Sequence, residues 1–170
     1  MDRDVELLHA EPTFREVSVS DEAVQKLLEA FRAELGNRYA GLPELQKLGG
    51  KEPVVPEGFE PAEGRFFGLY DGSDLIACGG IRLTEPGVAE IKRMYVIPSR
   101  RGEGYGRRML ARLEEEARLL GCDRIQLDTG VRQPEAQALY LSEGYKQLPV
   151  PANVPAGFLF MEKLLVSPAE

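Results

Sequence analysis

The sequence predicts an α+β domain, layered as helix, sheet, helix around a mixed and mostly antiparallel central sheet of about seven strands. Two observations carry this. Three strand-like runs between Arg65 and Ile97 are separated only by the turn-sized breaks Asp71–Asp74 (DGSD) and Glu85–Gly87 (EPG), the pattern of an antiparallel meander. Around that meander strands and helices follow in the order β, α, loop, βββ, α, β, α, ββ, with no internal repeat or low-complexity segment. A length of 170 residues suits one domain over 1–170 that buries its core without metal or disulfide help. The charged segment 1–12 is expected to be mobile, and 165–170 reads as a C-terminal tail.

Each element has a local cause. Phe14–Val17 reads as a short strand, Ser20 as a helix cap, and Val24, Leu27, Leu28, Phe31 and Leu35 as one apolar helix face ended by Gly36. Glycines and prolines then accumulate between Asn37 and Gly64 around a weakly helical LPELQKL, so this stretch is a long loop and a candidate substrate wall. Pro98 stops the third meander strand. After a glycine-rich turn, Met109, Leu110, Leu113, Ala117 and Leu120 mark a helix closed by Gly121, with Glu114 to Glu116 as its solvated face. Asp123–Gly130 is a strand. A helix opening on Pro134 follows, with Leu139 as a core residue, and Tyr145–Leu148 and Phe158–Leu165 complete the sheet.

Composition excludes several classes of function. With 28 acidic against 21 basic residues the net charge is −7, which argues against a nucleic-acid partner, because phosphate neutralisation needs a basic face. His9 is the sole histidine and falls in the N-terminal segment, which removes histidine-based triads and histidine-rich zinc sites. Cys78 and Cys122 have no metal-ligand spacing, suit a reducing compartment and receive no role. No apolar run approaches about 18 residues and the acidic N-terminus is unlike a signal peptide, so neither a membrane partner nor export is expected, and the protein is assigned to the cytoplasm.

The most informative stretch is Arg100–Arg108, RRGEGYGRR, four arginines around three alternating glycines between a strand and a helix. Such a turn exposes main-chain N–H groups that surround an anion at the positive end of the helix, and glycine lets the chain approach closely. A Walker A loop is excluded because no glycine-lysine-serine/threonine ending is present. The dinucleotide pattern fails because its third glycine would fall at Arg107 and the preceding strand closes a meander. Arg101, Gly102, Glu103, Gly104, Tyr105 and Gly106 fit a different spacing: glutamine or arginine, two free positions, glycine, one free position, then glycine or alanine. This resembles the pyrophosphate loop of the GNAT superfamily of acyl-CoA-dependent N-acyltransferases. The likeness extends from Arg65 to Leu148 and includes the glycine-aromatic ending Gly144-Tyr145.

The resemblance implies acetyl-CoA as acyl donor, no metal, and direct attack of an amine on the thioester. It places the diphosphate on the loop from Arg101 to Arg107 and the pantetheine along Met94, Tyr95 and Val96, on a strand splayed at a bulge. Gln133 stands where the family often has an asparagine that contacts the cofactor. Glu90 matches the position of a glutamate base and Tyr140 that of a general-acid tyrosine. Plain structural alternatives stay open beside these: a strand glutamate paired with Lys92 or Arg93, a helix tyrosine packed on the sheet, an ordinary core strand, and surface arginines. The acceptor would be a small-molecule or peptide amine. The acidic balance permits a cationic one, with selectivity sought in Tyr39–Glu63, and a homodimer is compatible with the reading. The rival from another class is a non-catalytic acyl-CoA-binding or sensing module, which would keep the loop and lose the base and acid; a purely structural interaction domain leaves the loop without a reason.

Overall fold

The computed structural model describes residues 10–42, 58–152 and 157–165. His9, the LPELQKL helix beyond Leu42, most of the Tyr39–Glu63 wall and the tail past Leu165 lie outside the described residues. Seven strands form one sheet in the order β1-β2-β3-β4-β5-β7-β6. They are β1 (Thr13–Glu16), β2 (Gly64–Asp71), β3 (Asp74–Glu85), β4 (Val88–Val96), β5 (Arg124–Gly130), β6 (Lys146–Leu148) and β7 (Phe158–Leu164). All pairings are antiparallel except β4 with β5. Among the described residues three α-helices flank the sheet: α1 (Glu22–Arg38), α2 (Tyr105–Leu119) and α3 (Pro134–Ser142). None of the described helices is long and apolar enough to cross a membrane.

Consecutive side chains of a strand face opposite sides, and the adjacent glycines of β3 show what each side holds. A Cβ on Gly79 would press on Met109 and Leu113 of α2 at 3.1–3.3 Å, whereas one on Gly80 would meet Phe66 and Phe59 at 2.5–2.9 Å. One face therefore packs on α2 and α3 through Phe67, Ile81, Ile91, Met109, Leu113 and Leu127, and the other on α1 through Val24, Leu28, Phe66, Cys78 and Tyr95.

Three local expectations are corrected. The α1 N-cap is Asp21 rather than Ser20, without a side-chain cap bond. Helix α1 also runs past Gly36 to Arg38, since nothing lies within 4 Å of a Cβ at Gly36 and Arg38 is held by Glu34, one turn back, at 2.9 Å. The Glu114–Glu116 run is solvated only at Glu115. Glu114 and Glu116 are 7% and 8% exposed. The Tyr145 hydroxyl donates to Glu114 at 3.1 Å and Lys163 donates to both its oxygens at 2.9 and 3.0 Å, while Arg112 donates to Glu116 at 2.9 Å. Partners from β7 and the β6 approach, distant in sequence, turn what reads as a charged face into a buried cross-link.

Removing one member of such a cross-link leaves the others uncompensated. Glu114→Ala is therefore expected to destabilise the fold by about 3 kcal/mol, read as a lower urea midpoint at unchanged slope, with Glu115→Ala within about 0.5 kcal/mol as the exposed control. Equal midpoints for the two variants would return Glu114 to the solvated face.

Candidate active site

The site begins where sheet pairing stops. Strands β4 and β5 pair only through Val88, Ala89 and Glu90 opposite Arg124, Ile125 and Gln126. Beyond Glu90, β4 stays with β3 and β5 stays with β7, so the two neighbours diverge. The cause lies in β4. Cys78 faces Tyr95 and Gly80 faces Lys92, so β4 carries one extra residue in that interval, and Arg93 there adopts φ 55°. A bulge bends and twists its strand, and a left-handed arginine stores of order 1 kcal/mol of strain.

Two cavities occupy the opening. The first, of about 460 Å³, is lined by Met94, Tyr95 and Val96 and by the loop residues Arg101, Gly102, Gly104, Tyr105, Gly106 and Arg107. The second, of about 300 Å³, is lined on the sheet side by Lys92, Arg93 and Asp128 and on the helix side by Tyr140. They meet at Met94, Gln133, Phe31, Leu35 and Ala136. Every sequence-predicted cofactor residue except Glu103 thus borders the first cavity; Glu103 instead accepts from Arg100 at 3.0 Å.

The loop is built for close main-chain approach. Gly102 and Gly104 adopt φ 82° and 84°, and Gly104 is the N-cap of α2, with no side-chain cap bond. The first-turn amides of α2, which a helix leaves without internal partners, thus open onto the cavity with the dipole behind them. A Cβ on Gly106 would press on Leu139 at 3.3 Å, so glycine also lets α2 seat against α3. Leu139 is consequently a cavity wall, half-buried rather than core, while its neighbour Tyr140 is the buried residue of α3.

All four arginines have protein partners. Arg100 donates to Asp71 at 2.7 Å and to Glu103, pinning the loop to the end of β2. Arg108 donates to the Pro12 carbonyl at 2.8 Å and Arg107 pairs with Glu143 while remaining 59% exposed. Arg101 donates to both oxygens of Glu34, at 2.9 and 2.7 Å, and to the Val96 carbonyl at 3.0 Å.

Glu34 is a residue that sequence reasoning missed. It also accepts from the Tyr95 hydroxyl at 3.0 Å and from Arg38 at 2.9 Å. Arg38 in turn pairs with Glu135 at the start of α3 and donates to the Arg132 carbonyl at 3.1 Å, and Arg132 donates back to the Arg38 carbonyl at 2.9 Å. The C-terminal half of α1 therefore spans the opening, tied to the β4 lip by Glu34 and to the β5 lip by Arg38. The only signal in the sequence is the i, i+4 spacing of these two residues, opposite in charge on the polar side of α1.

Of the candidate catalytic groups, Tyr140 lines the second cavity and Glu90 lines neither. The Tyr140 ring is edge-on to Tyr145 at 5.6 Å and no described residue hydrogen-bonds its hydroxyl. Burial, then the Asp128 charge, pushes the phenol above its ordinary range, so it keeps its proton. Glu90 accepts from Arg82 at 2.9 Å and pairs with Lys92 at 2.8 Å, and Lys92 reaches on to Asp128 at 2.6 Å. Asp128 is the carboxylate of this chain that borders the second cavity. Gln133 borders both cavities, with its side-chain oxygen accepting from the Gly130 amide at 3.1 Å. Both cysteines are buried, and burial pushes the Cys78 thiol up to about 12. Among the described residues no group of three or more histidine, cysteine or acidic side chains is arranged to hold a metal ion.

Comparison with known proteins agrees with this architecture. The family model described as Acetyltransferase (GNAT) family matches residues 26–145. An IAA acetyltransferase of Azospirillum brasilense is 36% identical over 138 residues, 78% of this chain and 83% of that protein. The crystal structure of an acyl-CoA N-acyltransferase from Klebsiella pneumoniae superposes with a TM-score of 0.73 at 28% identity, covering 91% of this chain and 98% of that one. The PaiA N-acetyltransferase of Thermoplasma acidophilum, solved with coenzyme A, shares the fold at a TM-score of 0.71 and 19% identity, over 91% of this chain and 99% of that one.

The clasp sets a pH dependence. Hydrogen bonding from Arg101, then from Arg38 and Tyr95, holds the Glu34 carboxyl at about 2, below the ordinary 4.5 and against the opposing effect of burial. A depressed carboxyl stabilises the fold above its unfolded value and loses that contribution as pH falls through its folded one. Glu34→Gln is thus expected to lower Tm by about 3–6 °C at neutral pH, or roughly 1–2 kcal/mol after solvent screening. That gap should close as pH drops from 4.5 towards 2. A gap independent of pH would show that Glu34 contributes packing and no charge pairing.

Proposed function

We propose that this chain, which belongs to the acetyltransferase (GNAT) family, moves an acetyl group from acetyl-CoA to a primary amine. One observation carries the reading. The uncapped start of α2, behind two left-handed glycines, opens into a cavity that meets, at Met94, a second one lined by Tyr140. An anion cradle at one end and a proton-bearing group at the other, joined along an unpaired strand edge, fit a ligand with a diphosphate, an extended arm and a reactive terminus. When bound, acetyl-CoA supplies the acetyl group as a thioester. The residues that would hold it are the amides from Gly102 to Arg107 and the β4 edge at Met94, Tyr95 and Val96, where an extended arm adds like a strand. Arg101, turned towards Glu34, and Arg107 supply positive potential at the same end.

The chemical roles follow from the surroundings of each group. Tyr140, kept protonated by burial, donates a hydrogen bond to the departing sulfur rather than surrendering its proton outright. Proton acceptance falls to the carboxylates joined through Lys92: Glu90, which lines neither cavity, and Asp128, which lines the second. An acceptor ammonium gives up one proton to that pair, the free nitrogen bonds the acyl carbon, and the sulfur leaves with the C–S electron pair. The second nitrogen proton balances the thiolate.

Calorimetry and steady-state rates test this together. Gly104→Asp puts a negative charge in the cradle at a position where a Cβ meets nothing within 4 Å and where aspartate tolerates the left-handed backbone. It should keep Tm within a few degrees and weaken coenzyme A binding by at least about tenfold. Tyr140→Phe should leave that affinity intact and lower kcat by about 10-fold to 100-fold. Glu90→Gln should remove or move an ionisation in kcat/KM that wild type retains on the same amine. Unchanged coenzyme A binding in folded Gly104→Asp overturns the cradle, equal turnover in Tyr140→Phe returns that residue to packing, and superimposable pH profiles leave Asp128 as the acceptor. Tight acetyl-CoA binding without transfer to any amine would favour a binding or sensing module.

A further inference from the structure

The described lining of the second cavity holds more basic than acidic side chains. Overall the protein carries a net charge of −7, yet the chamber wall from β4 and α1 includes Arg32, Lys92 and Arg93, and among the described residues the lining includes a single carboxylate, Asp128. That carboxylate is engaged by Lys92 at 2.6 Å, and the nearby Glu90 is engaged by Lys92 at 2.8 Å and Arg82 at 2.9 Å. Arg93 is left over. Among the described residues no carboxylate lies within 4.0 Å of its guanidinium, which sits over the Phe59 ring at 5.7 Å. Burial, then repulsion from Arg82 and Arg32, holds Arg93 below the ordinary arginine range.

A half-buried guanidinium with no carboxylate in direct contact, only the more distant charge of Glu90, is unfavourable, and at φ 55° this one also sits on a strained backbone. The bulge places Arg93 in the chamber lining one residue before Met94, where the two cavities join. A planar guanidinium is the group that recognises a carboxylate or a phosphonate through two parallel hydrogen bonds. At about 300 Å³ the chamber is at the small end for ligand sites, which fits a compact acceptor rather than an extended chain.

We propose that the acceptor is a small amine bearing an anionic oxyacid group, a carboxylate or a phosphonate, which pairs with Arg93 while its amine lies towards Asp128 and Tyr140. The proposal rests on the acetyl-transfer reading above and names the acceptor class for it. The pairing is unchanged by transfer: the oxyacid keeps its charge while nitrogen exchanges two protons for the acyl carbon and an ammonium charge is lost. A cationic acceptor, which the overall composition permits, would instead place two positive groups against each other.

Four amines of matched length separate the possibilities: γ-aminobutyrate, aminopropylphosphonate, butylamine and putrescine. At least one anionic amine should exceed butylamine and putrescine in kcat/KM by about tenfold or more, and which of the two leads identifies the oxyacid. Arg93→Asn, whose asparagine tolerates the left-handed backbone, should erase that preference with acetyl-CoA affinity unchanged, and Arg93→Lys should retain part of it. Calorimetry of the leading amine against protein saturated with coenzyme A should show the same loss without turnover. If Arg93→Asn does not fold, Arg32→Gln on α1 is expected to weaken the preference about threefold. Butylamine or putrescine matching the anionic amines, no turnover of any anionic amine, or a preference that survives Arg93→Asn overturns the proposal alone. Failure of wild type to bind acetyl-CoA overturns the transferase reading, and this proposal with it.

Discussion

Everything at the candidate site depends on the interrupted pairing between β4 and β5. Three residues of parallel ladder, Val88 to Glu90, join the two halves of the sheet, and beyond them the backbone groups on the facing edge of β4 have no strand to bond. Unpaired main chain away from solvent is expensive, so such a gap persists only if something holds it open and something else fills it. The bulge at Arg93 does the first by bending β4. Helix α1 spans the opening, and the two cavities occupy what remains. Had β4 continued in register, Arg93 would carry no positive φ, Tyr95 would not face α1, and the loop would not lie across a cleft.

The second dependence is electrostatic. Glu34 holds Arg101, Arg38 and the Tyr95 hydroxyl at one lip, while Lys92, in the lining of the second cavity, links Glu90 to Asp128. These carboxylates hold the loop, the helix and β4 in register with one another, leaving the main-chain amides of α2 to present positive potential. The chain carries a net charge of −7, yet among the described residues the second cavity is lined by Arg32, Lys92 and Arg93 beside Asp128, and it is the local field rather than the net charge that a ligand meets.

Much of this was legible in the sequence because its causes are local. Strand-like runs divided by turn-sized breaks give the meander, Pro98 ends β4, Gly102 and Gly104 sit where a left-handed turn demands them, and Pro134 opens α3. What stayed hidden is what depends on partners far along the chain. Glu114 reads as solvated until Lys163 and Tyr145 are brought to it, and Glu116 until Arg65 is. Glu34 reads as one more polar helix residue until the loop places Arg101 against it. Asp128 reads as a polar strand position until β5 parts from β4, and no local rule marks Arg93 as the residue that bulges. Leu139 lines the first cavity instead of joining the core for the same reason, since which side of a short helix faces the core is set by how α2 seats against it through Gly106.

The most direct test of the account is amide hydrogen exchange with and without coenzyme A. The uncapped amides at the start of α2 should exchange rapidly in the free protein and become protected on binding, together with the β4 edge at Met94 to Val96, while the β2–β3 ladder stays unchanged. Saturating coenzyme A with no added protection from Gly102 to Arg107, or protection confined to another part of the sheet, would contradict it.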